Sequence, residues 1–229
     1  MLANDLHEVL QALDNAARRL DRPAPRLLAV SKTQPPEAVR ALATLGQRAF
    51  GENYVQEALR KQAALAGLEL EWHLIGHLQS NKAAAAARAF DWVQSADRAR
   101  LVDALARHRP ADLPPLNVLV QVNVDDEASK HGCRPDAAEA LAAAIAVQPR
   151  LALRGLMAIP SPDRDLRRRE SFAAMKRLFD ALAARFPQID TLSMGMSEDY
   201  LTAFEEGATM VRIGTALFGR RESGTGNLE

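Results

Sequence analysis

The sequence predicts a single (β/α)8 barrel of the TIM type with an additional amino-terminal helix, and three observations carry that prediction. From Leu27 onward, short apolar or β-branched runs alternate with longer Ala/Leu/Arg-rich segments of helical period, the pattern of repeated βα units around a parallel sheet. Polar residues recur just after nearly every short run, where the strand ends of a barrel face one mouth. No Gly-x-Gly-x-x-Gly follows the first run, which disfavours the competing open, doubly wound sheet.

Taken in order, Leu2, Leu6, Val9, Leu10, Leu13 and Leu20 share one helical stripe, so 1–22 reads as a leading amphipathic helix that Pro23 and Pro25 end. It is expected to cover the position left by a short final helix. Leu27 to Val30 is a continuous apolar run of the kind buried on both faces in a parallel sheet, and Pro35-Pro36 then stops the strand and opens a helix. The eight strands are expected near 27–31, 48–50, 71–75, 91–94, 117–123, 152–158, 191–194 and 210–213. Helices are expected near 36–45, 54–65, 81–89, 98–107, 135–146, 165–185 and 198–205. The alanine run 83–87 is a strong helix former and not a linker. No segment reads as a boundary, so 1–229 is expected as one domain, with the Gly-rich stretch 222–229 as a flexible tail.

Composition narrows the function classes. Lys plus Arg and Asp plus Glu both number 29, so there is no basic excess to favour nucleic acid or an anionic membrane. No run approaches the ~20 apolar residues that span a bilayer. Cys133 is the single cysteine, which excludes an internal disulfide, fits a reducing compartment and reads as a small loop residue. A soluble, cytoplasmic protein is expected. His73 and His77 are four apart in a strand-to-loop segment, where that spacing does not place them on one face, so no metal site is expected.

The residues after the predicted strands form a polar ring: Lys32, Glu52 and Asn53, His77 with Gln79 to Lys82, Lys130 with His131, Ser193 with Ser197, and Arg212 with Thr215. Lys32 stands at the end of the first strand. A lysine held there in a partly desolvated pocket can lose its proton and form a Schiff base with a carbonyl. The loops after strands seven and eight, where barrels most often hold phosphate, read Ser193-Met194-Gly195-Met196-Ser197 and Ile213-Gly214-Thr215. Their glycines permit close backbone approach, and their hydroxyls offer donors to an anion. A lysine on strand one, an arginine on strand eight and a phosphate cradle between them call for a phosphorylated aldehyde, with pyridoxal phosphate (PLP) the best fit.

Six stretches then resemble the pyridoxal phosphate homeostasis protein family: Ala29-Val30-Ser31-Lys32-Thr33, the run 50–57 (FGENYVQE), the run 72–82 (WHLIGHLQSNK), the run 156–160 (LMAIP), the run 193–197 (SMGMS) and the run 211–219 (VRIGTALFG). The resemblance runs from about Leu27 to Arg220 and implies a barrel similar to the barrel domain of alanine racemase. It implies PLP carried as an internal aldimine on Lys32, an arginine at the pyridine nitrogen, here Arg212, and a role in vitamin B6 homeostasis with PLP-dependent apoenzymes as partners. An arginine stays protonated and cannot accept the ring's proton, so the electron sink is weak while exchange at the Schiff base remains open.

Other readings stand beside these. Arg212 can serve only a salt bridge to a neighbouring carboxylate. Ser197 can cap the helix that holds Glu198 and Asp199, and Asn53 can touch the cofactor or cap the helix that follows it. Lys130, in a Ser-Lys-x-Gly segment that looks like the family's, can line the mouth, bind a second PLP loosely or be a loop lysine. Met157, Met194 and Met196 read as barrel filling. An amino-acid racemase and a Schiff-base aldolase acting on phosphosugars are the competing functions. Racemases of the related fold add a domain whose tyrosine is the second acid/base, whereas this chain has only Tyr54 and Tyr200 and ends soon after strand eight. A monomeric carrier with no efficient catalysis is therefore expected.

Overall fold

In the computed structural model, eight parallel strands close into a barrel in sequence order. They are β1 Arg26–Val30, β2 Ala49–Glu52, β3 Glu71–Leu74, β4 Trp92–Ala96, β5 Leu116–Val122, β6 Leu151–Ala158, β7 Thr191–Ser193 and β8 Met210–Ile213. The helices around them are α1 Leu2–Leu20, α2 Pro36–Thr44, α3 Val55–Ala64, α4 Ala83–Ala89, α5 Ala99–His108, α6 Ala138–Ala146, α7 Asp165–Ala183, α8 Tyr200–Glu205 and α9 Thr215–Phe218. The structure describes residues 2–125, 127, 130–160 and 165–219. The expected tail at 222–229 and Ser129 of the Ser-Lys-x-Gly segment lie outside them.

Local chemistry places the elements as expected. Pro36 opens α2, where its fixed φ suits a helix and its missing N–H is no loss. On β1, Leu27 and Ala29 join the shell packed between strands and helices, while Leu28 joins Ala49, Ile75 and Met210 in a separate cluster inside the barrel. Trp92, Leu119 and Met157 form a second interior cluster, so Met157 is barrel filling. Met194 instead packs in the outer shell, and Met196 is exposed, because the inward face of β7 belongs to Ser193. Leu6, Val9 and Leu13 bury the inner stripe of α1. That helix packs against α2, α8 and the four-residue α9, covering the gap a full final helix would fill.

One glycine is required by the closure. Between the pairs Val118–Leu153 and Leu119–Gly155 the β5–β6 register shifts, with Arg154 as the extra residue. Gly155 there has φ +141°, and a Cβ on it would stand 2.0 Å from the Thr191 carbonyl oxygen of β7.

Candidate functional site

Strands β1 and β8 run side by side, with Ala29 opposite Ile213. Their ends therefore bring the Lys32 turn and the Gly214-Thr215 loop to one edge of the mouth. Lys32 follows β1 by two residues and is exposed, not partly desolvated as the sequence suggested. It stands in a tight turn, in which Gln34 N donates to the Ser31 carbonyl at 3.0 Å and Thr33 takes φ +64°. A β-branched residue in the left-handed region costs on the order of 1–3 kcal/mol and persists only where its surroundings impose it.

Those surroundings come from β2 and α3. The Thr33 N–H donates to Glu57 Oε1 at 2.5 Å, and Ser31 Oγ donates to Glu52 Oε1 at 2.6 Å. Lys61 is buried and its ammonium donates to the Ser31 carbonyl (2.6 Å), Glu52 Oε1 (2.7 Å) and Glu57 Oε1 (2.8 Å). Burial pushes the Glu52 carboxyl upward, against the pull of Lys61 and Ser31.

Arg212 is held differently. It is 3% exposed, and its guanidinium donates from Nη1 to the Ser193 carbonyl and Oγ, both at 2.8 Å, and from Nη2 to the Ala158 carbonyl at 2.8 Å. These partners replace the salt bridge considered from the sequence. Burial pushes the guanidinium down to about 10, opposed by Asp199, so it stays protonated at neutral pH. Beneath it a chain of bonds runs along the barrel interior. Ser193 Oγ donates to Gln94 Oε1 (2.7 Å), and Gln94 Nε2 meets His73 Nδ1 (2.9 Å). His73 Nε2 in turn meets Glu71, which pairs with Arg26 at 2.7 Å. Burial lowers the His73 ring, keeping it neutral against the pull of Glu71. The network then assigns the ring proton to Nε2. For Glu71 burial acts upward, but bonds from His73 and Arg26 outweigh it and hold the carboxyl at about 2.

Three of the predicted phosphate residues come together and one does not. Ser197 Oγ accepts from the N–H groups of Gly214 and Ala216, each at 3.3 Å, so it sits over the start of α9. Thr215 beside it is exposed. Ser197 does not cap the helix holding Glu198 and Asp199, because α8 begins at Tyr200 with Asp199 in the cap position, and Asp199 Oδ1 accepts from Met196 N. A Cβ on Gly214 would meet the Val30 carbonyl oxygen at 3.3 Å, so the β8 loop lies against the end of β1. Ser193 is the one left out. It is fully buried, and its hydroxyl is engaged by Gln94 and Arg212, which makes it a support for Arg212 and removes it from the mouth.

Among the remaining residues, Asn53 is half-buried and does not cap α3, whose cap position belongs to Tyr54. With Gly76, Gln79 and Lys82 it lines a cleft of about 300 Å³ beside the mouth, whose walls do not include Lys32. Lys130 lies 3.5 Å from Asp125 and 3.4 Å from Glu127, the loop-lysine arrangement. His73 is buried and stacked on Trp92, whereas His77 stacks on His131 with ring centroids 3.8 Å apart. His77, Asp97 and His131 bring one ligand atom each within 4.8 Å. The two rings lie 15° from parallel, so their nitrogen lone pairs run side by side and do not converge on one ion. Burial pushes the Cys133 thiol up to about 11, which leaves it unreactive.

Sequence reasoning missed Glu57 and Lys61, the clamp on the Lys32 turn, and Gln94 and His73, the support under Arg212. The signal for the second pair was present: a polar residue two positions from an interior tryptophan in the strand Trp92–Ala96 is buried whichever face it takes.

Known proteins share this chain's sequence and fold along nearly its whole length. The family model described as "Alanine racemase, N-terminal domain" matches residues 5–222. A pyridoxal phosphate homeostasis protein of Pseudomonas aeruginosa is 52% identical over 225 residues, covering 97% of each chain. The protein of the same name from Escherichia coli is 49% identical, covering 96% of this chain and 97% of its own. The structure of PipY from Synechococcus elongatus with PLP bound is 35% identical, with a TM-score of 0.84 over 96% of this chain and 100% of that one. On that evidence the chain belongs to the pyridoxal phosphate homeostasis protein family, whose barrel is that of the alanine racemase amino-terminal domain.

Proposed function

We propose that this protein binds PLP covalently through Lys32 in the cytoplasm, and holds, buffers or delivers it to PLP-dependent apoenzymes without turning over an amino acid efficiently. The observation that carries the reading is the pairing of an exposed primary amine after β1 with an anion-binding loop after the adjacent β8, one strand spacing away. The residues fit the cofactor. The Ser197 and Thr215 hydroxyls offer donors suited to a phosphate, and Gly214 lets the loop lie against Val30. Arg212 keeps other N–H donors of its fork for a ligand after its three bonds inward. When bound, the cofactor supplies an aldehyde with which the Lys32 amine condenses to a Schiff base.

The lysine inventory supports Lys32. The chain has five lysines, and three are engaged by carboxylates: Lys61 by Glu52 and Glu57, Lys130 by Asp125 and Glu127, and Lys176 by Asp180. An ammonium whose N–H bonds are directed at carboxylates is held away from an incoming aldehyde. Arg212 supports the carrier role. A fixed, protonated guanidinium cannot take a proton from a ring nitrogen, so it gives little help to a carbanion.

Borohydride reduction of the PLP-loaded protein followed by peptide mass spectrometry tests the reading. The adduct is expected on Lys32, and Lys32→Ala is expected to abolish it with an unchanged circular dichroism spectrum. An adduct on Lys82 or Lys130, with none on Lys32, overturns the assignment. A second measurement separates carrier from racemase. The loaded protein, incubated with L-alanine in deuterium oxide, should exchange the α-hydrogen ~10²-fold or more slowly than a genuine alanine racemase, since a missing acid/base group costs that much. Exchange within about tenfold of the racemase would make this an enzyme.

A further inference from the structure

We infer that Glu57 and Lys61 are positioning residues for Lys32: they fix the backbone of the turn on either side of it, so that the amine is presented to the mouth without being held itself. The inference rests on the reading of Lys32 as the point of PLP attachment. It gives a task to the charged residues of α3, which the cofactor site leaves unused.

The geometry is asymmetric in an informative way. Ser31 is gripped three times, through its N–H by the Gly51 carbonyl (2.9 Å), through its carbonyl by Lys61 (2.6 Å) and through its hydroxyl by Glu52 (2.6 Å). Thr33 is gripped through its N–H by Glu57 (2.5 Å). Lys32 lies between them with its side chain exposed. Thr33 takes φ +64°, which a threonine adopts only under compulsion, and the Glu57 carboxylate is the group bonded to that residue's amide. Lys61 ties the whole together, since its ammonium joins Ser31, Glu52 and Glu57 at once. It is 3% exposed, and with three charge-assisted bonds it is structurally committed, so the second lysine near the site cannot compete for the aldehyde. A nucleophile on a fixed backbone reacts faster than one that must first be ordered, because the entropy of ordering is already lost on folding.

The test uses the full chain and PLP itself. Wild type, Glu57→Ala, Glu57→Gln, Thr33→Gly and the Thr33→Gly/Glu57→Ala double variant are compared for the rate of Schiff-base absorbance at saturating PLP, with the melting temperature of each recorded. Glu57→Ala is expected to slow attachment about tenfold. Glu57→Gln, whose carbonyl still accepts the Thr33 N–H, is expected to stay within about threefold of wild type. In the Thr33→Gly background the left-handed turn needs no enforcement, so the effect of Glu57→Ala should shrink to less than about threefold. A merely structural role would lower the melting temperature alike in both backgrounds and leave the attachment rate unchanged. Attachment by Glu57→Ala at the wild-type rate, or an equal loss in both backgrounds, overturns the positioning role. Lys61→Met is the harsher variant, because it leaves two carboxylates unpaired, so the decision is taken on Glu57. The two readings fail separately. A wild-type protein with no reducible adduct on Lys32 removes the attachment and its positioning together, whereas an adduct on Lys32 that forms normally in Glu57→Ala removes only the positioning.

Discussion

Two cations stand at adjacent strand ends and are treated in opposite ways. Arg212 is buried, and its side chain is fixed from below by Ser193 and Ala158. Lys32 is exposed, and what is fixed is its backbone, from outside the barrel, by Ser31 and Thr33 in the grip of β2 and α3. The supports differ to match. Beneath Arg212 the chain of Ser193, Gln94 and His73 is made of neutral groups, each with one donor direction, so its bonded partners orient the guanidinium through dipoles. Around the Lys32 turn the supports are charged and lie outside the barrel wall. The fold thus sets a buried, fixed guanidinium and an exposed amine at adjacent strand ends, and the proposed carrier reading draws on that contrast.

The comparison breaks most visibly at Gln94, the residue through which the interior chain passes. Gln94→Leu leaves the buried Ser193 hydroxyl without its acceptor and His73 Nδ1 without its donor, and a loss of ~2–4 kcal/mol in urea denaturation is expected. Lys130→Ala, which removes only loop ion pairs, should change stability by less than about 0.5 kcal/mol. Equal costs for the two variants would show that the interior chain does not hold the barrel together.

The difference between the regions also explains what the sequence revealed. All eight strands were legible because each is a short apolar run between helical segments, and Lys32, Ser197, Gly214, Thr215 and Arg212 followed from their place at or just beyond a strand end. Facing was the weak point. Ser193 and Met196 lie three residues apart around the end of β7, and whether each enters the barrel depends on where the strand stops, which periodicity does not give to one residue. The supports were hidden for another reason. Ser193 and Gln94 are 99 positions apart, and Lys61 reaches Ser31 across 30, so only the closed sheet brings them within bonding distance. The exposure of Lys32 depends on the left-handed turn at Thr33, a conformation no threonine announces.

A smaller effect tests the anion side of the mouth. Ser197→Ala combined with Thr215→Val removes two hydroxyls next to Gly214 while leaving Lys32, Arg212 and the α3 clamp in place. Retention of PLP should fall about tenfold, equivalent to 1.4 kcal/mol, and that of unphosphorylated pyridoxal by less than about twofold. Equilibrium dialysis with each ligand measures both. Equal weakening of the two would place the phosphate elsewhere and leave the β8 loop as a structural contact between Ser197 and α9.

The smallest effect concerns the far end of the interior chain, where Glu71 anchors it between His73 and Arg26. The carboxyl is held at about 2 in the folded protein against an ordinary value of 4.5. A depressed carboxylate contributes stability that is fully present above the unfolded value and is lost as pH falls toward the folded one, because the unfolded chain then binds the proton first. Glu71 is 29% exposed and Arg26 is 43% exposed, so solvent screens the pair and the contribution should be ~1–2 kcal/mol. It should be present at pH 6 and decline between about 4.5 and about 2. Glu71→Gln lacks this titration, so its stability deficit relative to wild type should shrink when urea midpoints measured at pH 6 are repeated at pH 3. A deficit that is the same at both pH values would show that Glu71 anchors His73 through its shape as an acceptor and not through its charge.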